Sequence, residues 1–231
     1  MGVPRLPHAP NESTAKRHRT GAFDGDNGLN GGYEDGYSRC PCFWGRSAGS
    51  LVQRFVSDHS FARGFRVLDL GSGEGKNAFA FASAGAAVVA VDCSPLGLAN
   101  GQREFAGSMI EWILSDAETY LRECEPFDVI VMYGLLHCLP STAAITSVVK
   151  QALRKTDGDG YHIAATFNGG PHDLTAHPGF IRTLASHDFY LHQYRGHEIV
   201  VESNEIIHET HPHNQIPHFH SLTRLIARKS I

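Results

Sequence analysis

The chain has 231 residues, of which 42% are hydrophobic and 19% are charged, and its formal net charge is -4. This length fits one domain with a substantial core, and the composition is that of a soluble globular protein. The sequence shows no basic face to neutralise phosphates, which disfavours a nucleic-acid partner. Because no apolar run approaches the roughly 20 residues of a membrane span, we expect no membrane partner.

The cysteines and the N-terminal region suggest a cellular compartment. Five cysteines at irregular spacings do not form a disulfide framework, which favours a reducing environment. No apolar stretch near the N-terminus is long enough for the core of a secretory signal. We therefore expect a cytoplasmic protein.

The first 32 residues predict a flexible tail. They are rich in Pro, Gly, Asn and Ser, and they hold too few apolar residues to offset the entropy lost on ordering. The aromatic content then rises, with Phe43 and Trp44 near the start of the folded region. We accordingly divide the chain into a tail over residues 1–32 and one domain over residues 33–231.

The domain alternates short β-branched runs with longer amphipathic ones, which predicts a mainly parallel sheet with helices on both faces. Ser50 offers an N-cap for the first helix. The predicted strands are Arg66–Leu70, Ala87–Val91, Met109–Leu114, Phe127–Met132, Tyr161–Phe167, Glu198–His208 and His218–Arg228. The later predicted helices are Lys76–Ser83, Pro95–Phe105, Ala117–Arg122, Thr142–Arg154 and Asp188–Arg195.

The order of these elements predicts the fold class. No crossover helix separates the last two strands, so they should pair as an antiparallel hairpin. The prediction is an α/β fold with a doubly wound, mainly parallel sheet of the Rossmann-like kind, closed by a C-terminal antiparallel hairpin.

A glycine-rich loop follows the first predicted strand. The strand carries Asp69 near its end and opens through Gly71, Gly73 and Gly75 into a helix that begins at Lys76. Glycine allows tight turns and close approach of a ligand to the main chain. The G-x-G-x-G spacing differs from the G-x-G-x-x-G of dinucleotide sites, and Asp69 would repel a pyrophosphate but attract an ammonium group. The loop therefore favours S-adenosylmethionine (SAM) over a dinucleotide.

Acidic residues also end the next two strands. Asp92 follows the second strand at the spacing of a carboxylate that binds two ribose hydroxyls. Asp116 follows the third strand and can accept a hydrogen bond from an adenine amino group, while Ala117 leaves room for the ring. For Asp116 alone, a helix N-cap is an equally good interpretation. Ligands of such sheets bind outside the carboxyl ends of the strands, so the three acids together predict a cofactor site.

These residues resemble class I SAM-dependent methyltransferases, and within them the tellurite-resistance and thiol methyltransferase type. The segment Val67–Ala82 looks like the first motif of that family, and Phe127–Ile130 looks like a later one. The closing hairpin with Glu209 and His220 is also similar. The resemblance covers roughly residues 43–229 and implies that the cofactor is SAM.

The resemblance implies a role for each predicted cofactor residue. The loop residues Asp69, Gly71, Gly73 and Gly75 would hold the methionine end of SAM, and Asp92 would hold the ribose. The remaining three implied contacts are Asp116 and Ala117 at the adenine and Tyr133 beside the sulfonium.

His137 is the candidate catalytic residue. It follows the fourth strand at the edge where an acceptor would arrive, and it can act as a general base near neutral pH. The alternative is a histidine that packs behind the cofactor. The sulfonium already activates the methyl group, so alignment of a nucleophile can supply much of the rate without a base.

Fifteen histidines are unusual for this length, and the C-terminal stretch concentrates several of them. These are His208, His211, His213, His218 and His220. An i, i+2 spacing on a strand places imidazoles on one face, where they could ligate a metal or line an acceptor pocket. Prolines in the stretch and the lack of HExxH or paired CxxC spacing favour a solvated hairpin loop, and we predict no metal.

The predicted function is transfer of a methyl group from SAM to a small-molecule nucleophile. Two alternatives belong to other classes. The first is a non-catalytic module that binds SAM or its demethylated product, S-adenosylhomocysteine (SAH). The second is a metal-handling protein that uses the histidine cluster.

Overall fold

A computed structural model describes residues 33–176, 181–211 and 215–230. The predicted tail over residues 1–32 lies outside the described residues. The strands are β1 (Arg66–Leu70), β2 (Ala87–Asp92), β3 (Ile110–Leu114), β4 (Phe127–Tyr133), β5 (Thr156–His172), β6 (Glu198–Glu209) and β7 (His218–Arg228). The helices are α1 (Tyr33–Arg39), α2 (Ser50–Asp58), α3 (Lys76–Ser83), α4 (Pro95–Glu104), α5 (Ala117–Glu123), α6 (Thr142–Arg154) and α7 (His187–His192).

The strands described here form one sheet in the order β3-β2-β1-β4-β5-β7-β6. Neighbours from β3 through β5 run parallel, and β7 pairs antiparallel with both β5 and β6. This arrangement confirms the predicted doubly wound α/β fold with its closing hairpin. The chain builds outwards from β1 to β3 and returns to β4 on the other side of β1. That reversal lies at the carboxyl ends of β1 and β4, where such sheets bind ligands.

Apolar cores cover both faces of the sheet. Successive side chains of a strand point to opposite faces, so Leu68 of β1 packs in one core while its neighbour Val67 packs in the other. Helix α6 covers the first face through Ile145, and α3 covers the second through Phe81. β1 is therefore buried on both sides, as its continuous apolar run predicts.

Helix α1 was not predicted as a helix, because Gly36 weakens its middle and its surroundings are polar. It forms because Tyr37 packs against Phe43 in a small aromatic cluster. Helix α2 begins at the predicted Ser50, but Gly49 is its N-cap and contributes no side-chain hydrogen bond. Helix α7 has Ser186 as its N-cap, and the Ser186 side chain accepts from the Phe189 N–H.

Strand β5 is longer than predicted at both ends. Glycines towards both ends and a proline near the last residue predict loops there, yet pairing with β7 carries the strand to His172, opposite His220. An irregularity in register between Phe167 and His172 accommodates the extra residues. Among the described residues, no helix is both long and apolar enough to cross a membrane.

Candidate active site

A cavity of about 600 Å³ opens at the carboxyl ends of the central strands. This volume lies in the range of sites that enclose a small ligand. Most of the residues predicted to bind the cofactor line it, namely Gly71, Gly73, Asp92, Asp116, Ala117 and Tyr133. The fold therefore brings together groups that are up to 62 positions apart in the sequence.

The glycine loop packs so closely that side chains would not fit. Gly71 has φ 74°, and a Cβ there would lie 2.9 Å from Leu135. Gly73 has φ 54°, and a Cβ there would lie 2.5 Å from the Tyr37 hydroxyl. Both positions thus require glycine for backbone conformation and for space.

Asp92 ties the glycine loop to the end of β2. Its Oδ2 accepts a hydrogen bond of 2.7 Å from the Gly73 N–H, and its Oδ1 accepts one of 2.8 Å from the Ser94 N–H. Burial raises the pKa of the carboxyl group, and the two backbone donors oppose that shift. A carboxylate oxygen accepts more than one hydrogen bond, so both oxygens retain capacity for hydroxyl groups of a ligand.

Asp69 and Gly75 are not among the residues that line the cavity, and direct contact of either with the cofactor stays a prediction. Asp69 is 1% exposed and lies beneath the loop, where its Oδ2 accepts a hydrogen bond of 2.9 Å from the Ala78 N–H of α3. Burial is the main reason why its pKa rises to about 7. Gly75 is the N-cap of α3 with φ 77°, and a Cβ there would lie 2.3 Å from the Trp112 ring. Both residues shape the loop from behind.

Asp116 and Tyr133 reach the cavity from the two sides of β1. The Oδ1 of Asp116 accepts from the Thr119 N–H at 2.9 Å, so the residue is the N-cap of α5 and also lines the cavity. Tyr133 ends β4, and its ring lies so close to Gly49 that a Cβ there would be 2.2 Å from it. The N-cap interpretation of Asp116 is therefore observed, and it leaves the cavity contact in place.

Residues 33–44, which we call the cover segment, close one side of the cavity. Tyr33, Tyr37 and Trp44 all line it. The Tyr33 hydroxyl lies 3.1 Å from the Sγ of Cys138. Glu34 bonds to the Ser94 hydroxyl and accepts from the Leu96 N–H, which fixes α1 over the start of α4. Sequence reasoning missed these tyrosines, although the rise in aromatic content marked the region.

Glu74, in the middle of the glycine loop, anchors the cover segment. Its Oε1 accepts from the Cys42 N–H at 2.8 Å and from the Asn100 side chain at 3.0 Å, and its Oε2 accepts from the Phe43 N–H at 2.6 Å. The residue is 7% exposed, and burial raises its pKa while these donors oppose the rise. Lys76, two residues further, donates to the Trp44 carbonyl at 2.9 Å. Sequence reasoning missed both roles.

His137 lines the cavity but is tightly packed. Its ring stacks on Phe167 with centroids 4.4 Å apart, and its Nδ1 accepts from the Phe167 N–H at 3.2 Å. That bond places the proton of the neutral ring on Nε2. Burial, with a smaller repulsion from nearby His220 and His172, lowers its pKa to about 3, so the ring is neutral at pH 7. Its general-base role stays a prediction, whereas these contacts favour the packing alternative.

The far end of the cavity lies between β5 and the closing hairpin. Apolar and charged side chains alternate there, including Phe167, Arg182, Ile207, Glu209, His211 and Leu222. His211 also packs edge-on against Trp44 of the cover segment, with centroids 4.9 Å apart. None of these residues belongs to the glycine loop itself.

His218 and His220 of the hairpin are buried in the sheet, whereas the sequence predicts a solvated loop. His218 is 3% exposed and His220 is 0% exposed, because β7 is an inner strand of the sheet between β5 and β6. His211 is also buried, and His208 is exposed. His213 lies outside the described residues. The prediction of a solvated loop is therefore wrong for His218 and His220.

Comparison with known proteins agrees with this site. Residues 67–160 match the family model described as a methyltransferase domain. A comparison with curated proteins found no matching relative.

Several solved structures share the fold. TehB from Haemophilus influenzae has a TM-score of 0.64 and 18% identity over 79% of this chain, which spans 63% of the length of TehB. A protein studied for the conversion of a disulfide bond into a thioacetal group during echinomycin biosynthesis has a TM-score of 0.67 and 16% identity, covering 87% of this chain and 91% of its own. Magnesium protoporphyrin IX methyltransferase (ChlM) from Synechocystis PCC 6803, with bound SAM, has a TM-score of 0.57 and 17% identity. The match covers 86% of this chain and 80% of ChlM. Identities this low show the shared fold alone.

Residues 67–160 thus match a methyltransferase domain, and the sheet order is that of the doubly wound fold predicted from the sequence. Both findings agree with the resemblance to class I SAM-dependent methyltransferases. ChlM is also known with bound SAH, the product that SAM leaves after methyl transfer.

Proposed function

We propose that the protein transfers the methyl group of SAM to a small-molecule nucleophile. The observation that carries the proposal is the shape of the cavity. It runs from the glycine loop to the hairpin and is covered on one side by the aromatic residues Tyr33, Tyr37 and Trp44. A site covered in this way suits a small acceptor better than a segment of a macromolecule.

The positions of the lining residues support a placement for SAM. The methionine end would lie against Gly71 and Gly73, and the ribose hydroxyls would bind Asp92. Adenine would lie over Ala117 and donate to Asp116 through the oxygen that does not cap α5. Tyr133 would then lie near the sulfonium. It lies on the side of the cavity that leads to the closing hairpin, which we call the acceptor end because the acceptor would bind there.

Catalysis at this site would depend on alignment and on exclusion of water. The proton of neutral His137 lies on Nε2, and its Nδ1 lone pair is already engaged by the Phe167 N–H. This arrangement suits a positioning residue better than a base. As a positioning residue, His137 would order Phe167 at the acceptor end. An acceptor that is nucleophilic without a protein base is therefore favoured.

The His137→Gln variant separates these two roles. If His137 acts as a base, the pH profile of kcat/KM should lose one ionisation in the variant. The rate should also fall by about 100-fold. We expect instead a lower melting temperature, a shifted KM for acceptor and an unchanged pH profile, because the native ring is already neutral above pH 4. Loss of an ionisation from the profile would contradict the positioning role.

The function is tested by binding and by turnover. Isothermal titration should show that both SAM and SAH bind. Incubation with SAM and a panel of small thiols, amines and phenols, followed by detection of SAH, should then show turnover with at least one class. Binding without turnover on any acceptor would favour the alternative of a non-catalytic SAM-binding module.

The cytoplasm remains our proposed location. All five cysteines of the chain are free thiols in the structure, which agrees with a reducing compartment.

A further inference from the structure

A cluster of histidines and one glutamate lies at the acceptor end of the cavity. Glu209, near the end of β6, faces His218 across the hairpin, and His220 follows two residues later on the same face of β7. One ligand-type atom of each of these three residues lies within 4.8 Å of the others. Glu209 lines the cavity, whereas the two imidazoles lie buried behind it.

Hydrogen bonds fix which nitrogen of His218 faces Glu209. Its Nδ1 lies 2.7 Å from the Ile216 carbonyl oxygen, which can only accept, so Nδ1 must carry a proton. In the neutral ring the lone pair is then on Nε2. That atom lies 3.6 Å from Oε1 of Glu209.

A second chain of hydrogen bonds fixes which nitrogen of His220 faces Glu209. The Nε2 of His172 donates to the Asn168 carbonyl at 2.7 Å, so the Nδ1 of a neutral His172 is an acceptor. His220 Nδ1 lies 3.3 Å from that atom and donates to it. The lone pair of neutral His220 is therefore also on Nε2, which lies 3.8 Å from the same Oε1 of Glu209.

Two imidazole lone pairs and a carboxylate thus converge on one point. Neutral imidazole nitrogens and a carboxylate oxygen are ligand types that zinc binds in proteins. Zinc at its usual distances to nitrogen and oxygen sets its tetrahedral ligands about 3.3 to 3.5 Å apart, and the two imidazole nitrogens lie 3.6 and 3.8 Å from Oε1 of Glu209. Backbone carbonyls or further side chains that bind the second nitrogen are typical of metal-binding histidines.

We propose that Glu209, His218 and His220 bind a divalent transition metal ion of the zinc type. The three ligands come from two strands joined across a hairpin, so no local sequence spacing reveals them, and the sequence prediction of no metal missed this arrangement. Three protein ligands leave one tetrahedral position for another donor. Resting on the proposed function, the metal would hold the donor atom of the acceptor, or a water molecule, at the cavity wall beside Glu209.

The test is zinc binding by the purified full-length protein, measured by competition with a chromophoric chelator. We expect one zinc ion per chain. The double variant His218→Ala/His220→Ala should lose at least 100-fold in affinity, and Glu209→Gln, at a half-buried position, should lose at least tenfold. His208→Ala is the matched control, because this exposed neighbour of Glu209 points to the other face of β6, and it should bind zinc like the wild type.

Controls keep the outcome clear. Circular dichroism and melting temperature show whether each variant is folded, and Glu209→Gln carries the test if the double variant is not. X-ray absorption of the zinc-loaded protein should show two imidazoles and an oxygen ligand. The proposal is overturned if the wild type takes up no zinc, or if His208→Ala loses as much affinity as the double variant. Titration of the same samples with SAM tests the cofactor site separately. A failure of the metal proposal can therefore be distinguished from a failure of the proposed function.

Discussion

The Asp92→Ala variant should bind SAM about 5- to 150-fold more weakly than the wild type, which corresponds to about 1 to 3 kcal/mol. The ribose hydroxyls would lose a carboxyl acceptor. The Gly73 N–H would lose its partner as well, so the loop that holds the methionine end would also be less ordered. Titration calorimetry with SAM and with SAH measures the loss, and both ligands should be affected alike because they share the ribose.

A control separates this effect from a change in net charge. Glu111 is an exposed carboxylate on β3, the strand next to β2, and Glu111→Ala should leave SAM affinity unchanged. The melting temperature of Asp92→Ala must be measured as well, since the Ser94 N–H also loses its acceptor. Wild-type affinity for SAM in a folded Asp92→Ala protein would contradict the assignment of the ribose site.

The central part of the fold is predictable because its signals are local. The run from Val67 to Leu70 is buried on both faces of the sheet, and such a run has few other interpretations. Helix α3 has the predicted bounds because Gly75 starts it and its apolar side chains recur at helical spacing. Strand β5 was underestimated because its outer residues, around Gly169 and Pro171, become strand only through pairing with β7. That pairing is a tertiary contact, and local propensity does not contain it.

The candidate site likewise contains residues that motif spacing predicts and residues whose placement depends on tertiary contacts. Asp92 and Gly73 follow directly from motif spacing, and both line the cavity. Asp69 belongs to the same motif, but the sequence cannot show that its carboxylate turns beneath the loop to the Ala78 N–H. The pairing of Glu209 with His218 depends on the register of the hairpin, which a sequence pattern of histidines leaves open.

The Glu74→Ala variant should release the cover segment. Three donors, the Cys42 and Phe43 backbone N–H groups and the Asn100 side chain, would lose an acceptor that is almost fully buried. A buried donor left without its partner costs about 1 to 3 kcal/mol, so a large fall in melting temperature is expected. Hydrogen exchange of the backbone amides in residues 33–44 should rise to that of an open segment. SAM should dissociate faster, because Tyr33 and Tyr37 would no longer cover one side of the cavity.

The matched control is Glu104→Ala, which removes a carboxylate from the same neighbourhood. Glu104 pairs with Arg46 at 2.9 Å. The Glu104 side chain is 20% exposed and the Arg46 side chain is 72% exposed, and a partly solvated pair of this kind contributes about 1 kcal/mol or less. Glu104→Ala should therefore leave both exchange and SAM dissociation close to those of the wild type. Faster exchange that is confined to residues 33–44 in Glu74→Ala would show that the cover segment opens as a unit on an intact sheet. If exchange in residues 33–44 is the same in both variants, the cover segment is held by its aromatic packing, and Glu74 is not its anchor.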